Sequence, residues 1–214
     1  SRQIYEALVQ RGLDMKIGPA LATEWKATDP NTWVFKLRED VKFSNGSKMT
    51  SEDVVFSILR AKQRTSDFKE YISTISDVKA DGEYSVVILT SKPNPILLNQ
   101  LSNIFIMSKK WSEKNFAMSP QNWDAGQETY SATNALGTGP FKITLREPNT
   151  KTVFKRNTHW WGEMKDKNVT QIELLPIKNA ATRVAALLSG EIDLVTDAPV
   201  QDLKRISSSS THKV

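Results

Sequence analysis

The stretch from Thr182 to Leu194 constrains the fold of this chain more than any other part of the sequence. Its apolar residues recur at helical spacing up to Gly190, and the apolar run Ile192–Val195 follows almost at once. A glycine directly after the last apolar turn favours the left-handed conformation in which many helices end. The pattern therefore predicts a helix that stops at Gly190 and a short strand over Ile192–Val195, a unit typical of α/β folds.

Two loops are candidates for a functional role. The polar run Val195–Pro199 leaves the predicted strand, and open α/β sheets bind ligands at the carboxyl ends of their strands. Ser119–Leu136 is the longest stretch without periodicity and is rich in Ser, Gln, Asn, Thr and Gly. Loops of this length are usually functional or mobile.

Elsewhere the apolar spacing alternates between the periods of strands and helices. Thr32–Arg38 alternates apolar and charged side chains, as a half-buried strand does. Thr50 lies three residues before Asp53, which is the spacing of a capping box. The helix that starts there is predicted to bury the stripe Val54, Val55, Ile58 and Leu59. Further strands are predicted over Ile75–Ala80, Tyr84–Thr90, Phe105–Met107, Phe141–Glu147, Thr152–Arg156 and Thr170–Ile177. These elements predict a mixed α/β fold with two compact units.

The charge pattern argues against a nucleic-acid partner. The 214 residues include 29 Lys and Arg against 24 Asp and Glu, a formal net charge of +5, yet the two signs are interspersed. Basic residues that bind nucleic acid usually form a patch or stripe. No apolar run approaches the ~18 residues of a membrane span. Zero cysteines exclude disulfides and thiolate metal sites. No secretory leader follows Ser1, so we expect a mature or truncated chain.

The sequence offers little for catalysis. A reaction centre needs a nucleophile with a base, or a metal with suitable ligands. His159 stands beside two tryptophans, where a packed ring is expected, and His212 lies far from it in the tail. Gly137-Thr138-Gly139 precedes Pro140 and a predicted strand, whereas a phosphate loop requires a Lys and a helix. We therefore predict no catalytic residue, no metal site and no cofactor.

Several short motifs occur in an order that is typical of one protein family. Pro19–Trp25 matches the pattern P-x-L-A-x-x-W, and Ile4–Val9 is similar to the family's early helix. The other motifs are Trp33–Arg38, Val41–Gly46, Thr50–Ser57, Leu136–Phe141, His159–Gly162 and Thr182–Leu194. Together they resemble the family 5 extracellular solute-binding proteins of ABC importers, the peptide- and nickel-binding group. The chain departs from this family in lacking the strand before the first helix and in stopping where a second large lobe would begin.

The resemblance implies a periplasmic-binding-protein-like type II lobe with an inserted, hairpin-rich subdomain. Residues 1–17 and 115–214 would form an incomplete first lobe, residues 18–114 the insertion, and the second ligand-binding lobe would be absent. The implied function is to capture short peptides or related small solutes and deliver them to an ABC permease in the membrane. The resemblance also implies a periplasmic or otherwise extracytoplasmic, envelope-associated monomer that is not an enzyme. It does not indicate which solute is bound.

The resemblance also implies a set of substrate-binding residues, which are Tyr71, Asn103, Thr138, Thr196 and Asp197. Thr196 and Asp197 lie in the loop Val195–Pro199, where the first lobe of the family contacts the ligand. Capping of a strand edge is the alternative role for each of the five residues. The alternative function is a carbohydrate-active enzyme or a non-catalytic sugar-binding module. A hydrolase needs two carboxylates facing one cleft, and Asp193 with Asp197 is the plausible pair.

Overall fold

A computed structural model describes residues 2–126, 128–163, 168–209, 211 and 213 of the chain. One unit comprises Ser1–Arg146 and Thr152–Glu173, and a second comprises Glu147–Lys151 and Leu174–Val214. The predicted insertion, residues 18–114, lies inside the first unit, and its boundaries stay a prediction. His212 lies outside the described residues. None of the described helices is long and apolar enough to cross a membrane.

The elements follow the predicted alternation of strands and helices. The strands are β1 (Val9–Arg11), β2 (Ile17–Pro19), β3 (Ala22–Asp29), β4 (Thr32–Leu37), β5 (Ile75–Ala80), β6 (Ser85–Thr90), β7 (Phe141–Glu147), β8 (Lys151–Arg156) and β9 (Gln171–Leu174). The helices are α1 (Ser51–Ala61), α2 (Leu97–Leu101), α3 (Lys109–Lys114), α4 (Ala180–Ser189) and α5 (Leu203–Ser207). Short 3-10 turns cover Lys69–Ile72, Tyr130–Ala132 and Val200–Asp202.

The main hydrophobic core of the first unit is built around the largest sheet. It is antiparallel, with strand order β3-β4-β6-β5, and β4 confirms the strand predicted over Thr32–Arg38. Phe35 and Leu37 are buried, whereas Lys36 between them is exposed. This alternation follows because successive side chains of a strand point to opposite faces. Phe35 is paired in register with Trp25 of β3 and Val86 of β6, so it lies at the centre of the core.

Helix α1 packs against β5 and β6, and its start confirms the predicted capping box. The backbone N–H of Thr50 donates to Oδ2 of Asp53 at 2.9 Å. The predicted apolar stripe is only partly correct, because Leu59 is exposed. The buried face instead runs through Val54, Ser57, Ile58 and Ala61. These positions follow the i, i+3, i+4, i+7 repeat of one helix face, which includes Ser57 and leaves Leu59 on the exposed side.

The early helix expected at Ile4–Val9 is wrong. This segment runs as extended chain into β1, and its backbone groups pair with distant segments. The carbonyl of Ile4 accepts from the N–H of Gly139 at 2.8 Å, and the carbonyl of Glu6 accepts from the N–H of Ile106 at 2.9 Å. Buried backbone groups must be paired, and here the partners come from elsewhere in the chain rather than from a helical turn. The segment therefore lies between two later parts of the first unit.

A smaller sheet has the order β7-β8-β9 and confirms the strands predicted after the long loop. The strand expected over Thr170–Ile177 is shorter, because β9 ends at Leu174. Pro176 has no N–H to donate to a ladder, which is consistent with the early end. The strand predicted over Phe105–Met107 is reduced to a single bridge between Phe105 and Ala7.

Helix α4 of the second unit ends as expected, and it begins at Ala180, two residues before the predicted stretch. The side chain of Asn179 caps its start by accepting from the N–H of Thr182 at 2.9 Å. Gly190 has a φ of 78° and terminates it in the left-handed conformation. The strand predicted over Ile192–Val195 is wrong, because these residues have no ladder partner in the described part of the unit. Ile192 and Val195 pack instead against the apolar cluster of Val184, Leu187 and Ile206.

The conformation of Gly190 makes its replacement by valine costly. A β-branched side chain resists positive φ, so Gly190→Val is expected to destabilise the second unit by about 1–2 kcal/mol. No atom lies within 4 Å of the added Cβ, so the cost would be conformational rather than steric. Gly190→Asn is the matched control, because asparagine tolerates this conformation better. Equal losses of helical circular dichroism on heating for both variants would contradict this explanation.

Candidate functional site

The first unit contains a cavity of about 370 Å³. Its walls come from the end of α1, the turn that follows α1, the segment after α2 and part of the loop Ser119–Leu136. The side chains that matter most to its chemistry are Tyr5, Arg60, Phe68, Phe105, Met107 and Trp123. Ligand sites in proteins commonly occupy about 300–1,000 Å³ and are mostly apolar with a few polar groups. The cavity matches that description, and the long loop contributes to it.

Alternation along one segment explains the apolar wall. Ile106 is buried in the core and does not line the cavity, whereas Phe105 and Met107 are half-buried and line it; Ile104 is buried and borders the cavity as well. The bridge between Phe105 and Ala7 keeps this part of the chain extended. The N–H of Met107 donates to the hydroxyl of Ser57 at 2.8 Å, which ties the segment to α1. Neighbouring residues of an extended segment face opposite sides, so one side of this segment faces the core and the other the cavity.

Arg60, in the last turn of α1, connects the helix to the long loop. Its Nε donates to the carbonyl of Ala117 at 3.2 Å, and its Nη2 donates to the carbonyl of Ser119 at 3.0 Å and the hydroxyl of Ser131 at 3.3 Å. Burial lowers the pKa of Arg60 from its usual value, although the guanidinium remains charged at neutral pH. Burial likewise raises the pKa of Tyr5 to about 12, so the phenol in this cavity is neutral.

A second polar cluster surrounds the carboxylate of Glu6. The indole N–H of Trp160 donates to Oε1 at 3.1 Å, and that of Trp161 donates to Oε2 at 3.0 Å. The guanidinium of Arg38 lies 3.9 Å above the ring centroid of Trp161. Burial raises the pKa of Glu6, and the two indole donors partly offset this shift. The cluster holds the Trp160-Trp161 segment against the N-terminal segment, so we interpret it as structural.

Replacing Glu6 by glutamine tests this cluster. Glutamine offers one acceptor oxygen, and its NH₂ group would face an indole N–H, so Glu6→Gln is expected to cost about 1–3 kcal/mol. The folded-state pKa of Glu6 is raised, so its contribution to stability is full below its unfolded pKa of about 4.5 and is lost as the pH rises through the folded value. The deficit of the variant should therefore be largest in acid. Urea titrations across the pH range would measure it.

The control for this experiment is Glu24→Gln on the exposed side of β3. Its unfolding free energy should follow that of the unmodified chain at every pH. A Glu6→Gln profile that runs parallel to the unmodified one would show that the buried carboxylate does not titrate as the raised pKa requires.

Comparison with known proteins identifies the family. Residues 16–214 match the profile described as "Bacterial extracellular solute-binding proteins, family 5 Middle". The chain belongs to this family. The periplasmic murein peptide-binding protein MppA of Escherichia coli is 27% identical, with 92% of this chain and 38% of MppA covered. The nickel-binding periplasmic protein of the same organism is 30% identical, with 90% of this chain and 35% of that protein covered.

Solved structures confirm the mixed, periplasmic-binding-protein-like fold of this family 5 chain. AgaA from A. tumefaciens R10, in complex with agropinic acid, has a TM-score of 0.84 and 25% identity, with 97% of this chain and 40% of AgaA covered. DppA from Helicobacter pylori, in complex with the peptide STSA, has a TM-score of 0.80 and 25% identity, with 97% and 43% covered. The chain thus spans about two fifths of the length of these relatives.

The predicted site residues of the first unit do not line the cavity, but two of them adjoin it. Tyr71 is exposed, and its ring centroid lies 6.2 Å from that of Phe68, a lining residue. Asn103 precedes the lining residue Ile104, and its Nδ2 donates to the carbonyl of Asn99 at 3.1 Å. The roles of Tyr71 and Asn103 in ligand binding stay predictions.

Thr138 lies elsewhere, in the cluster around Glu6. It is fully buried, and its hydroxyl makes no well-formed hydrogen bond among the described residues. The hydroxyl nevertheless lies near enough to the carboxyl of Glu6 to lower its pKa. A ligand-binding role for Thr138 stays a prediction.

The remaining predicted residues, Thr196 and Asp197, belong to the second unit. Both are exposed, and Oδ2 of Asp197 accepts from Nη2 of Arg183 at 3.2 Å. The same guanidinium binds the carbonyls of Asp197 and Ile177 at 2.8 Å each. Arg183 therefore fixes the loop Val195–Pro199 to the start of α4. Ligand contacts by Thr196 and Asp197 stay predictions.

Sequence reasoning missed Arg60 and Glu6. Arg60 appears in the sequence as an ordinary charge in an amphipathic helix, and only the return of the long loop shows what it binds. Glu6 had a weak signal, namely a carboxylate within the apolar run Ile4–Val9, where an unpaired charge would be costly. No group of three or more potential metal ligands occurs in the part of the chain that the structure describes.

Proposed function

We propose that this chain is part of the solute-binding component of an ABC importer, which captures short peptides or related small solutes for a membrane permease. Membership of family 5 carries the proposal, because MppA and OppA are named as peptide-binding and others as nickel-binding periplasmic proteins. The cavity of about 370 Å³ gives the solute a place in the first unit. The same relatives support a periplasmic location, and we propose a monomer without catalytic activity.

The proposed mechanism is a ligand-dependent change of conformation. A solute that contacts two lobes stabilises the closed arrangement only if it binds that arrangement more tightly than the open one. Hinge closure around a ligand is a common form of this change. The permease would then recognise the closed form. In this mechanism the chain contributes binding groups and rigidity rather than chemistry.

The carbohydrate-active alternative has less support. The relatives named above are a murein peptide-binding protein, a nickel-binding protein and a protein in complex with agropinic acid, rather than glycosidases. A glycosidase would need Asp193 and Asp197 to face one cleft. The carboxylate of Asp197 already pairs with Arg183, which accounts for its position without catalysis.

A thermal-shift screen of the whole protein that contains this chain would test the proposal. The panel would hold oligopeptides, nickel–histidine complexes, opines and oligosaccharides. A solute at 100 times its dissociation constant is expected to stabilise the folded protein by about 2.7 kcal/mol. Stabilisation by the first three classes supports the proposal. Stabilisation by oligosaccharides alone, or turnover of any of them, would contradict it.

Asp197→Ala in the whole protein tests the loop of the second unit. The side chain is exposed, and surface ion pairs contribute about 0–1 kcal/mol, so stability should change little. Loss of a hydrogen bond to a charged or amide group of the solute is expected to cost about 1.5–3 kcal/mol of binding free energy. Thr196→Val, which removes a neutral hydroxyl, should cost nearer ~1 kcal/mol. Calorimetry would measure both, and an unfolded Asp197→Ala variant would show that this carboxylate is structural.

A further inference from the structure

Arg60 lines the cavity, and one terminal nitrogen of its guanidinium has no hydrogen bond to any described residue. Its Nε and Nη2 are held by two carbonyls and one hydroxyl, as described above, whereas Nη1 makes no hydrogen bond to any described residue. Nη1 is also absent from the fully enclosed polar atoms that lack a partner. Nη1 is therefore an accessible donor on a side chain that other hydrogen bonds already hold in place. Binding of a ligand at Nη1 would cost little further side-chain entropy.

The charge of Arg60 has no carboxylate partner in the described part of the chain. Among the described residues, the ionisable group that acts on it is the phenol of Tyr5, which is neutral below about pH 12. Asp67 lines the same cavity but forms no ion pair with Arg60. Partly buried guanidinium groups are normally paired with an anion. An anion that entered the cavity would satisfy both the charge and the free donor.

The other walls indicate what would accompany the anion. Phe68, Phe105, Met107 and Trp123 present apolar surface to the cavity, and Trp123 is largely exposed. Thioether and aromatic side chains accommodate varied apolar groups. On the loop side the hydroxyls of Thr129 and Ser131 bond to each other at 2.9 Å, and that of Ser131 also accepts from Arg60. The cavity thus combines one cationic donor with an aromatic wall.

We propose that the cavity binds the carboxylate of a solute at Nη1 of Arg60 and an apolar or aromatic group of the same solute against Phe105, Met107 and Trp123. This inference rests on the proposed function and names the chemistry that the first unit selects. A carboxylate forms charge-assisted hydrogen bonds with a guanidinium, and these are about twice as strong as neutral ones. A neutral amide of the same shape loses that advantage.

Hydrocinnamate and its neutral amide are suitable probes, because they differ in charge but scarcely in size. Binding to the unmodified protein would be followed by isothermal titration calorimetry and by tryptophan fluorescence. We expect the acid to bind at least about tenfold more tightly than the amide. The preference should decrease with added salt, although less than for an exposed charge. Equal affinities for acid and amide, or no binding of the acid at millimolar concentration, would overturn the proposal.

Three variants locate the site. Arg60→Gln should abolish the preference for the acid, because the charge contact is lost; the loop contacts of the guanidinium are lost with it, so the test is the ratio of the two affinities rather than either affinity alone. Met107→Trp should weaken both probes, because it fills the cavity without touching Arg60. Arg64→Gln, which changes an exposed arginine four residues further along the chain, in the turn after α1, is the matched control and should retain the preference. A preference that survives Arg60→Gln, or probe affinities that Met107→Trp leaves unchanged, overturns the proposal.

These experiments distinguish failure of the carboxylate site from failure of the proposed function. If Arg60→Gln fails to fold, the acid–amide comparison and Met107→Trp still decide the outcome. Solutes that stabilise the whole protein while acid and amide bind alike would refute the carboxylate site alone. A protein that binds neither the probes nor any solute of the panel would refute both.

Discussion

Gly137→Ala is expected to destabilise the first unit by more than about 3 kcal/mol. A Cβ at this position would lie 2.0 Å from the carbonyl oxygen of Ile4, which is backbone and already accepts from the N–H of Gly139. Neither backbone segment can move without breaking this hydrogen bond, and a side chain cannot rotate away from the clash. Urea unfolding followed by tryptophan fluorescence would measure the loss, and the variant is expected to populate unfolded protein at room temperature.

Gly18→Ala is the matched control, because the same methyl group there meets no atom within 4 Å. Its stability should stay within about 0.5 kcal/mol of the unmodified chain. A Gly137→Ala variant as stable as Gly18→Ala would show that the N-terminal segment is not held against Gly137–Gly139.

Phe35→Ala is expected to cost about 3–5 kcal/mol. The side chain is 0% exposed and lies at the centre of the main sheet, where its removal leaves a cavity that the paired strands cannot close. Phe116→Ala removes the same atoms from a side chain that is 92% exposed, so it should change stability by less than about 0.5 kcal/mol. Thermal and urea unfolding of the pair would give the difference. Similar values for the two variants would mean that Phe35 does not belong to the cooperative core.

Local patterns predicted much of the fold because they depend on neighbours in sequence. Thr50 at a helix start, Gly190 at a helix end and the alternation in β4 all involve contacts within a few residues. The order of the motifs was equally informative, since it indicated the family from the sequence alone. The predictions that depended on distant partners were less accurate. Ile4–Val9 has an apolar pattern compatible with a helix, but its backbone pairs with distant segments instead. The strand predicted at Ile192–Val195 has no ladder partner among the described residues.

The candidate site divides in the same way. Resemblance to the family implies binding roles for Tyr71, Asn103, Thr138, Thr196 and Asp197. These roles remain predictions. The cavity brings together Tyr5, Arg60, Phe105 and Ser131, which are far apart in the chain. No local pattern could have grouped them, because each residue alone is typical of an ordinary helix, strand or loop.

The sequence by itself determined the family, the mixed α/β composition, and the caps and turns that delimit its elements. Short-range hydrogen bonds and backbone preferences decide those features, and both are encoded within a few residues. Only the tertiary structure decided that the N-terminal segment pairs with Ile106 and Gly139 and that Glu6 receives two indole N–H groups. It also decided that Arg60 lines a cavity with one donor that has no partner among the described residues. These depend on which distant groups satisfy a buried charge or backbone atom, and that choice is made by the packing of the whole unit.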